Sequence, residues 1–171
     1  MNVDEVLLDG FSRPVEVCEM VLDGIDEETL HARLTETSNS IAWLVWHLAR
    51  EQDVQIAPLA GREQVWTARG WHEQFGKPAD DFGFGDTPED VAAFRVSGPE
   101  VLLGYLHEVA EFVQDCVAGL TPEDLAEVID ESWDPPVTRG VRLVSIIDDA
   151  AQHAGQAAFV RGALGWDARR P

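Results

Sequence analysis

Apolar residues recur at spacings of three and four along four stretches of the chain, and each stretch predicts an amphipathic helix. In the first stretch Gly24 offers an end point, while Pro14 would kink or split the helix because proline removes a backbone hydrogen-bond donor. Hydroxyl side chains at residues 38–40 offer N-caps for the second helix. In order, the predicted helices cover residues 3–24, about 38–59, 98–120, and 138 or 140 to 165.

The connection between the second and third helices, residues 60–87, has no sustained hydrophobic period and is punctuated by glycine and proline. A connection of that length is uncommon as an idle loop in a compact domain and is usually functional. Its aromatic side chains could pack onto the helices or line the mouth of a pocket, and we favour packing. These aromatic residues are Trp66, Trp71, Phe75, Phe82 and Phe84.

Shorter elements are predicted between the long helices. Residues 26–30 are predicted to form a turn with a short helical piece, and residues 126–139 an irregular segment or a short strand pair. A Thr-Pro pair precedes acidic residues at two places, and each predicts a short helix: residues 87–96 and a single turn after Thr121. Four long helices and one ordered crossover loop predict an all-α four-helix bundle, as a single domain over residues 1–171.

The charge of the chain limits its partners. A formal net charge of −20 at pH 7 argues against nucleic acid and anionic membrane surfaces, because both would be repelled. The N-terminus lacks a basic segment followed by an apolar one, and no run approaches the roughly 20 apolar residues of a membrane span. Cys18 and Cys116 are far apart, without a CxxC pattern, and are expected to be buried, reduced thiols, with one long-range disulfide as the alternative. These features predict a soluble, cytoplasmic protein.

Candidate chemistry centres on two helical segments about a hundred residues apart. Asp149 and His153 are four residues apart on the last helix and therefore share one face, while His47 lies on the apolar second helix. A carboxylate and two imidazoles would make a metal site with open coordination positions, which is typical of catalytic metals. The alternatives are a solvent-exposed Asp149–His153 pair and a core His47 bonded to a backbone carbonyl. The other histidines have no spaced partner and are expected at the surface: His31, His72 and His107.

The face of the last helix that carries Asp149 is polar where a core seam should be apolar. It also presents Arg142 and Gln156, which are candidates to hydrogen-bond a metal ligand or to contact a substrate. Either residue could equally be structural. The opposite side, with Asp148 and Ala151, is expected to be solvated.

The segment Ser40–Arg50 around His47, followed far downstream by the Asp149-x3-His153 pair entering Gly155-Gln156, resembles the DinB-like superfamily. The closest likeness is to its actinobacterial branch, allied to mycothiol-dependent enzymes and to mycothiol and bacillithiol S-transferases. The likeness spans nearly the whole chain; further segments that carry it are residues 61–67, 133–138 and 140–145.

The resemblance implies a four-helix bundle that holds a divalent metal, often through three histidines. In the related mycothiol-dependent maleylpyruvate isomerases one ligand is instead a glutamate. Carried over, His47 matches the first ligand, Asp149 the middle one and His153 the last. Aspartate is shorter than the usual residue, so the metal would shift or be held through a water. The chain ends at Pro171, without the C-terminal domain of the maleylpyruvate isomerases, so that isomerisation is not expected.

By this resemblance the chain is expected to be a metal-dependent S-transferase for a low-molecular-weight thiol, mycothiol above all, in which an activated thiolate attacks a small electrophile. Zinc suits the ligand set, with nickel or iron as competitors. One alternative is a metal-dependent hydrolase with Asp148 or Glu51 as general base. Another is a non-catalytic, stress-linked metal-binding domain whose ligands are plugged by Trp43 and Leu44. An exposed apolar helix face could support a homodimer.

Overall fold

The computed structural model describes residues 2–168 of the chain; Met1 and residues 169–171 lie outside the described part. Four helices of about 20 residues or more form the body of the fold, as the sequence predicts. In chain order the elements are α1 (Val3–Leu22), α2 (Glu27–His31), α3 (Ile41–Ala60), α4 (Val65–Ala68), α5 (Trp71–Phe75), α6 (Pro88–Ala93), α7 (Pro99–Val117), α8 (Pro122–Ala126), β1 (Val128–Asp130), β2 (Val137–Thr138) and α9 (Arg139–Ala163).

Side-chain contacts between helix ends define the topology. The guanidinium of Arg161, near the end of α9, donates to the Met20 carbonyl near the end of α1, so these helices run parallel. Arg139, at the start of α9, donates to the Leu59 carbonyl near the end of α3, so α3 and α9 run antiparallel. The early part of α7 packs on the middle of α3 and its later part lies beside the segment after α3, so α3 and α7 are parallel. Two consecutive parallel helices require the long crossover between them.

The helices α3 and α9 begin at capping residues that the sequence predicts. Ser40 accepts a hydrogen bond from the Trp43 backbone and caps α3, and Thr138 does the same for Val141 at the start of α9. The sequence predicted that Pro14 would kink or split the first helix; α1 is not split, and Pro14 is buried inside it. Its ring leaves one helical carbonyl without a partner while Leu7, Phe11 and Cys18 stay on the buried face.

The crossover is more regular than predicted. Residues 60–87 show no sustained hydrophobic period, yet α4 and α5 form there as helices of four and five residues. Gly70 and Gly76 flank α5, and both have left-handed backbone conformations. A helix of five residues is too short to show a hydrophobic period. The predicted packing holds for three of the aromatic residues: Trp66, Trp71 and Phe75 are buried, whereas Phe84 is 83% exposed.

A buried polar network fixes the crossover to α3 and α7. Asp53 accepts hydrogen bonds from the backbone N–H groups of Val65 and Trp66, at 2.9 and 2.8 Å, and so holds the start of α4. The Tyr105 hydroxyl donates to Asp53 at 2.8 Å, and Arg50 donates to both. Burial raises the pKa of the Asp53 carboxyl, and these hydrogen bonds act against that rise. Because every polar group here is paired, the network can remain inside the core.

Between α8 and α9 the chain forms the short strand pair that the sequence allowed. β1 and β2 pair antiparallel, with Val128 opposite Thr138. Cys18 and Cys116 are free thiols, as expected; Cys18 is buried, whereas the expectation that Cys116 is buried was wrong, since it is only half-buried. None of the helices described is long and apolar enough to cross a membrane.

Candidate functional site

The antiparallel helices α3 and α9 each carry a histidine and a carboxylate four residues apart. On α3 the order is His47 then Glu51, and on α9 it is Asp149 then His153. Because the two helices run in opposite directions and the order of histidine and carboxylate is reversed, the two histidines lie at one level and the two carboxylates lie one helical turn away. The imidazole rings meet edge to face with centroids 4.9 Å apart. The structure therefore brings together all three residues that the sequence singles out as metal ligands.

His47 is held in one orientation by its surroundings. Its Nδ1 lies 2.7 Å from the carbonyl oxygen of Phe82, and since a carbonyl only accepts, Nδ1 carries the proton. The Trp43 ring stacks on the imidazole with a centroid distance of 4.4 Å. The unprotonated Nε2 then faces the Glu51 carboxylate at 3.9 Å. This is the tautomer in which Nε2 is free to bind a metal.

Burial lowers the pKa of His47, and the neighbouring His153 lowers it further. The side chain is only 7% exposed. Both causes keep the imidazole neutral near physiological pH. Neutral imidazole is the form that binds metals.

The α9 half of the site repeats the pattern. His153 Nδ1 lies 3.3 Å from the Gln156 side-chain oxygen, which accepts its proton, and His153 Nε2 faces Asp149 Oδ1 at 3.6 Å. The other oxygen of Asp149 is buried without a hydrogen-bond partner among the described residues. The Asp149 side chain is 39% exposed as a whole, so the site opens to solvent along α9.

Nε2 of His47 and, with Gln156 as the acceptor of the Nδ1 proton, Nε2 of His153 each face a carboxylate oxygen. In the part of the chain that the structure describes, no Lys or Arg forms an ion pair with Glu51 or Asp149.

Burial raises the pKa of Glu51, and the Asp149 charge raises it further. Gln55 donates to Glu51 at 2.8 Å, and the Arg50 charge acts against the rise in the Glu51 pKa. Two imidazoles and two carboxylates that face one another without a direct ion pair to Lys or Arg fit the chemistry of a divalent metal site.

The candidate ligand atoms are farther apart than the ligand atoms around a bound zinc ion. Within residues 2–168 no three His, Cys, Asp or Glu side chains lie close enough together to hold a metal as they stand. Ligands at 2.0–2.1 Å from a tetrahedral zinc are about 3.3 Å apart. The two His–carboxylate pairs, at 3.6 and 3.9 Å, would each have to contract slightly.

Sequence reasoning placed Glu51 beside His47 on the same helix and named it as a possible base for hydrolysis, but it did not consider Glu51 as a candidate metal ligand. Its signal was available, because Glu51 follows His47 by the same four residues that separate Asp149 from His153. Phe82 was missed as a contact of His47, and its role rests on a backbone carbonyl that no side-chain pattern reveals. Asp148, the other base considered, is exposed and bonded to Gln152.

The remaining sequence candidates lie at different distances from this centre. Gln156 contacts His153, whereas the Arg142 guanidinium faces Asp130 of β1 at 3.7 Å. His107 is exposed and pairs with Glu19, as expected for a surface group. His31 was expected at the surface, but it is half-buried because its Nε2 bonds the Val96 carbonyl.

Trp43 closes one side of the site, and Leu44 beside it is fully buried. The indole nitrogen of Trp43 donates to Asp86 of the crossover at 2.8 Å, which fixes the ring against His47. An apolar groove of about 410 Å³ lies elsewhere, between α1 and α7, and includes neither His47 nor His153. Of the three candidate ligands, Asp149 has the most exposed side chain, at 39%.

Comparison with known proteins agrees with this architecture. The mycothiol-S-transferase family profile matches residues 6–165. Among solved structures, the crystal structure of a conserved protein from Enterococcus faecalis is similar with a TM-score of 0.86 and 34% identity, covering 94% of this chain and 96% of that one. No curated protein matches the chain. Because the family match spans nearly all of the helical bundle, the chain belongs to the mycothiol S-transferase family of the DinB-like superfamily.

Proposed function

We propose that this protein transfers a low-molecular-weight thiol, mycothiol, to a small electrophile, and that His47, Asp149 and His153 hold the divalent metal that the reaction needs. The observation that carries the proposal is the orientation of the two imidazoles. Each donates its Nδ1 proton to an oxygen acceptor outside the site, so that each Nε2 lone pair points into the site. The family match supports mycothiol as the thiol. Two imidazoles and one carboxylate leave coordination open for a sulfur ligand.

Zinc is the metal we propose, with nickel or iron as competitors. Neutral imidazole with one carboxylate suits all three metals, and a thiol ligand favours zinc among them. Asp149 has a short side chain and Glu51 is half-buried, so the positions of the two carboxylates can adjust to the metal.

When bound, such a metal lowers the pKa of a thiol that it coordinates, so that a thiolate forms at neutral pH. The thiolate sulfur then attacks an electrophilic carbon, a C–S bond forms, and a leaving group such as halide departs with the bonding electrons. With an α,β-unsaturated electrophile the C–S bond forms at the β-carbon, the electrons of the C=C bond move to the carbonyl oxygen, and the α-carbon then takes up a proton from water, which balances the proton that the thiol released.

Residues around the site orient the two histidines and shield His47 from water. Phe82 and Gln156 hold the two Nδ1 protons, which points both Nε2 atoms inward. Trp43 covers one face of His47 and excludes water there. The partly exposed Asp149 edge is the side from which a thiol can enter.

The proposal is tested by a conjugation assay with mycothiol and a chromogenic aryl halide, using zinc-loaded protein and the same protein after chelation. We expect catalysed conjugation that disappears with chelation and returns with zinc. Glutathione and cysteine in place of mycothiol test the thiol. Conjugation that is indifferent to both the metal and the thiol would contradict the proposal, and metal-dependent hydrolysis of an ester without any thiol would favour the hydrolase instead.

A further inference from the structure

The crossover presses a tight turn, residues 81–83, against the face of α3 that carries His47. We propose that Gly83 is a positioning residue for His47: because it has no side chain, the turn can bring the Phe82 carbonyl onto Nδ1 of the imidazole. The inference rests on the proposed function, in which His47 Nε2 binds the metal.

Gly83 has no room for a side chain. A Cβ built on it would lie 2.8 Å from His47 Nδ1, 2.8 Å from Cζ3 of Trp46 and 3.1 Å from Cζ2 of Trp43. Two of these distances are shorter than real Cβ contacts, and all three neighbours are rigid rings in the core. The turn also needs glycine for its backbone, since φ is +81°.

The turn is anchored by the same helix that carries His47. Arg50 Nε donates to the Asp81 carbonyl at 3.0 Å, and the Asp81 side chain accepts from the Gly83 N–H at 2.9 Å. Lys77 pairs with Asp81 at 2.6 Å and lies 4.5 Å from the centre of the Trp46 ring. The position of the Phe82 carbonyl is therefore set by buried contacts on both sides.

A carbonyl fixed on Nδ1 determines the tautomer and the direction of Nε2. Partners that orient a metal-binding histidine typically change metal affinity about 10- to 100-fold when they are lost. A methyl group at position 83 would force the turn away from α3 or tilt the imidazole, and in either case the Nδ1–carbonyl bond is lost.

The chain offers a matched control two residues away. Gly85 also has a positive φ, +85°, but a Cβ there would meet nothing within 4 Å. Gly83→Ala and Gly85→Ala therefore impose a similar backbone strain on the same segment. They differ in the contacts with His47, Trp46 and Trp43.

Zinc affinity is measured by competition with a chromophoric chelator for the wild type and both variants. We expect Gly83→Ala to bind zinc about 10- to 100-fold more weakly and Gly85→Ala to match the wild type. A second readout needs no metal: the ¹⁵N chemical shifts of His47 at mildly alkaline pH should show an Nδ1–H tautomer in the wild type and in Gly85→Ala, and a mixture in Gly83→Ala.

Equal zinc affinity and an unchanged tautomer in Gly83→Ala would overturn the inference. A wild type that binds no zinc would refute the proposed metal site, while the tautomer measurement would still decide the role of Gly83. If Gly83→Ala does not fold, Asp81→Ala removes the acceptor of the Gly83 N–H without adding a clash; an unchanged zinc affinity and tautomer in that variant would also count against the inference.

Discussion

His47 and His153 meet edge to face across two antiparallel helices, with ring centroids 4.9 Å apart. Each donates its Nδ1 proton to an oxygen acceptor outside the pair and turns Nε2 toward a carboxylate. The two carboxylates form no ion pair with Lys or Arg among the described residues, and the Gln55 amide donates to Glu51 at 2.8 Å. A divalent cation would compensate the charge of the carboxylates, which is why we place the metal between α3 and α9.

Asp149 and Asp148 are adjacent in sequence but differ in role. Asp149→Asn should weaken zinc binding by more than the roughly 10- to 100-fold that loss of an orienting partner costs, because a charged donor is removed. Asp148→Asn should have no effect, since Asp148 is exposed and bonded to Gln152. Chelator competition on both variants checks this, and equal affinities would exclude Asp149 as a ligand.

The pH dependence of stability should carry a contribution from His47. Its pKa in the folded state is below the ordinary 6.5, mainly through burial. As the pH falls below about 6.5, the unfolded chain therefore takes up the proton first, and the free energy of unfolding decreases. Urea denaturation of the metal-free protein between about pH 7 and pH 5.5 should show a steeper loss of stability for the wild type than for His47→Gln. Parallel slopes would mean that His47 is not buried as described.

Glu51→Gln should stabilise the metal-free protein at pH 7. The folded-state pKa of Glu51 is raised above 4.5 by burial and by Asp149, so its charged form carries a penalty at neutral pH that glutamine lacks. The gain should shrink as the pH falls through the raised pKa toward 4.5, where the folded protein protonates Glu51. The exposed Glu63 provides the control, because Glu63→Gln should leave the urea midpoint unchanged. A less stable Glu51→Gln would contradict this prediction, because it would show that the hydrogen bond from Gln55 outweighs the burial of the charge.

Tyr105→Phe should cost about 1–3 kcal/mol of unfolding free energy, because Asp53 loses a buried donor. Ser12→Ala removes an exposed hydroxyl that bonds its own helix and should change stability by less than about 0.5 kcal/mol. Urea denaturation of both variants makes the comparison. A Tyr105→Phe as stable as Ser12→Ala would show that the Asp53 network does not need the hydroxyl.

The long helices and the shared face of Asp149 and His153 could be predicted from sequence for a physical reason, whereas the convergence of His47 on that pair was expected from the resemblance to the DinB-like superfamily. Helical periodicity is a local property, and pairs four residues apart share a face whatever the rest of the chain does. Ser40 and Thr138 cap α3 and α9 for the same local reason.

The crossover could not be predicted in the same way. α4 and α5 owe their place to Asp53, which holds the start of α4, and to packing of Trp66 and Trp71 on the bundle. The hydrogen bond from His47 to Phe82 depends on a backbone carbonyl 35 residues away. Contacts of this kind arise from tertiary structure and leave no repeat in the sequence.

Metal analysis of the purified protein tests the central claim most directly. The wild type, His47→Ala, His153→Ala and His107→Ala would be loaded with zinc, freed of excess metal and measured for zinc per chain. His107 is the control because it is exposed and pairs with Glu19, away from the site. We expect the wild type and His107→Ala to retain stoichiometric zinc and both site variants to lose it; stoichiometric zinc retained in His47→Ala and His153→Ala would contradict the metal site.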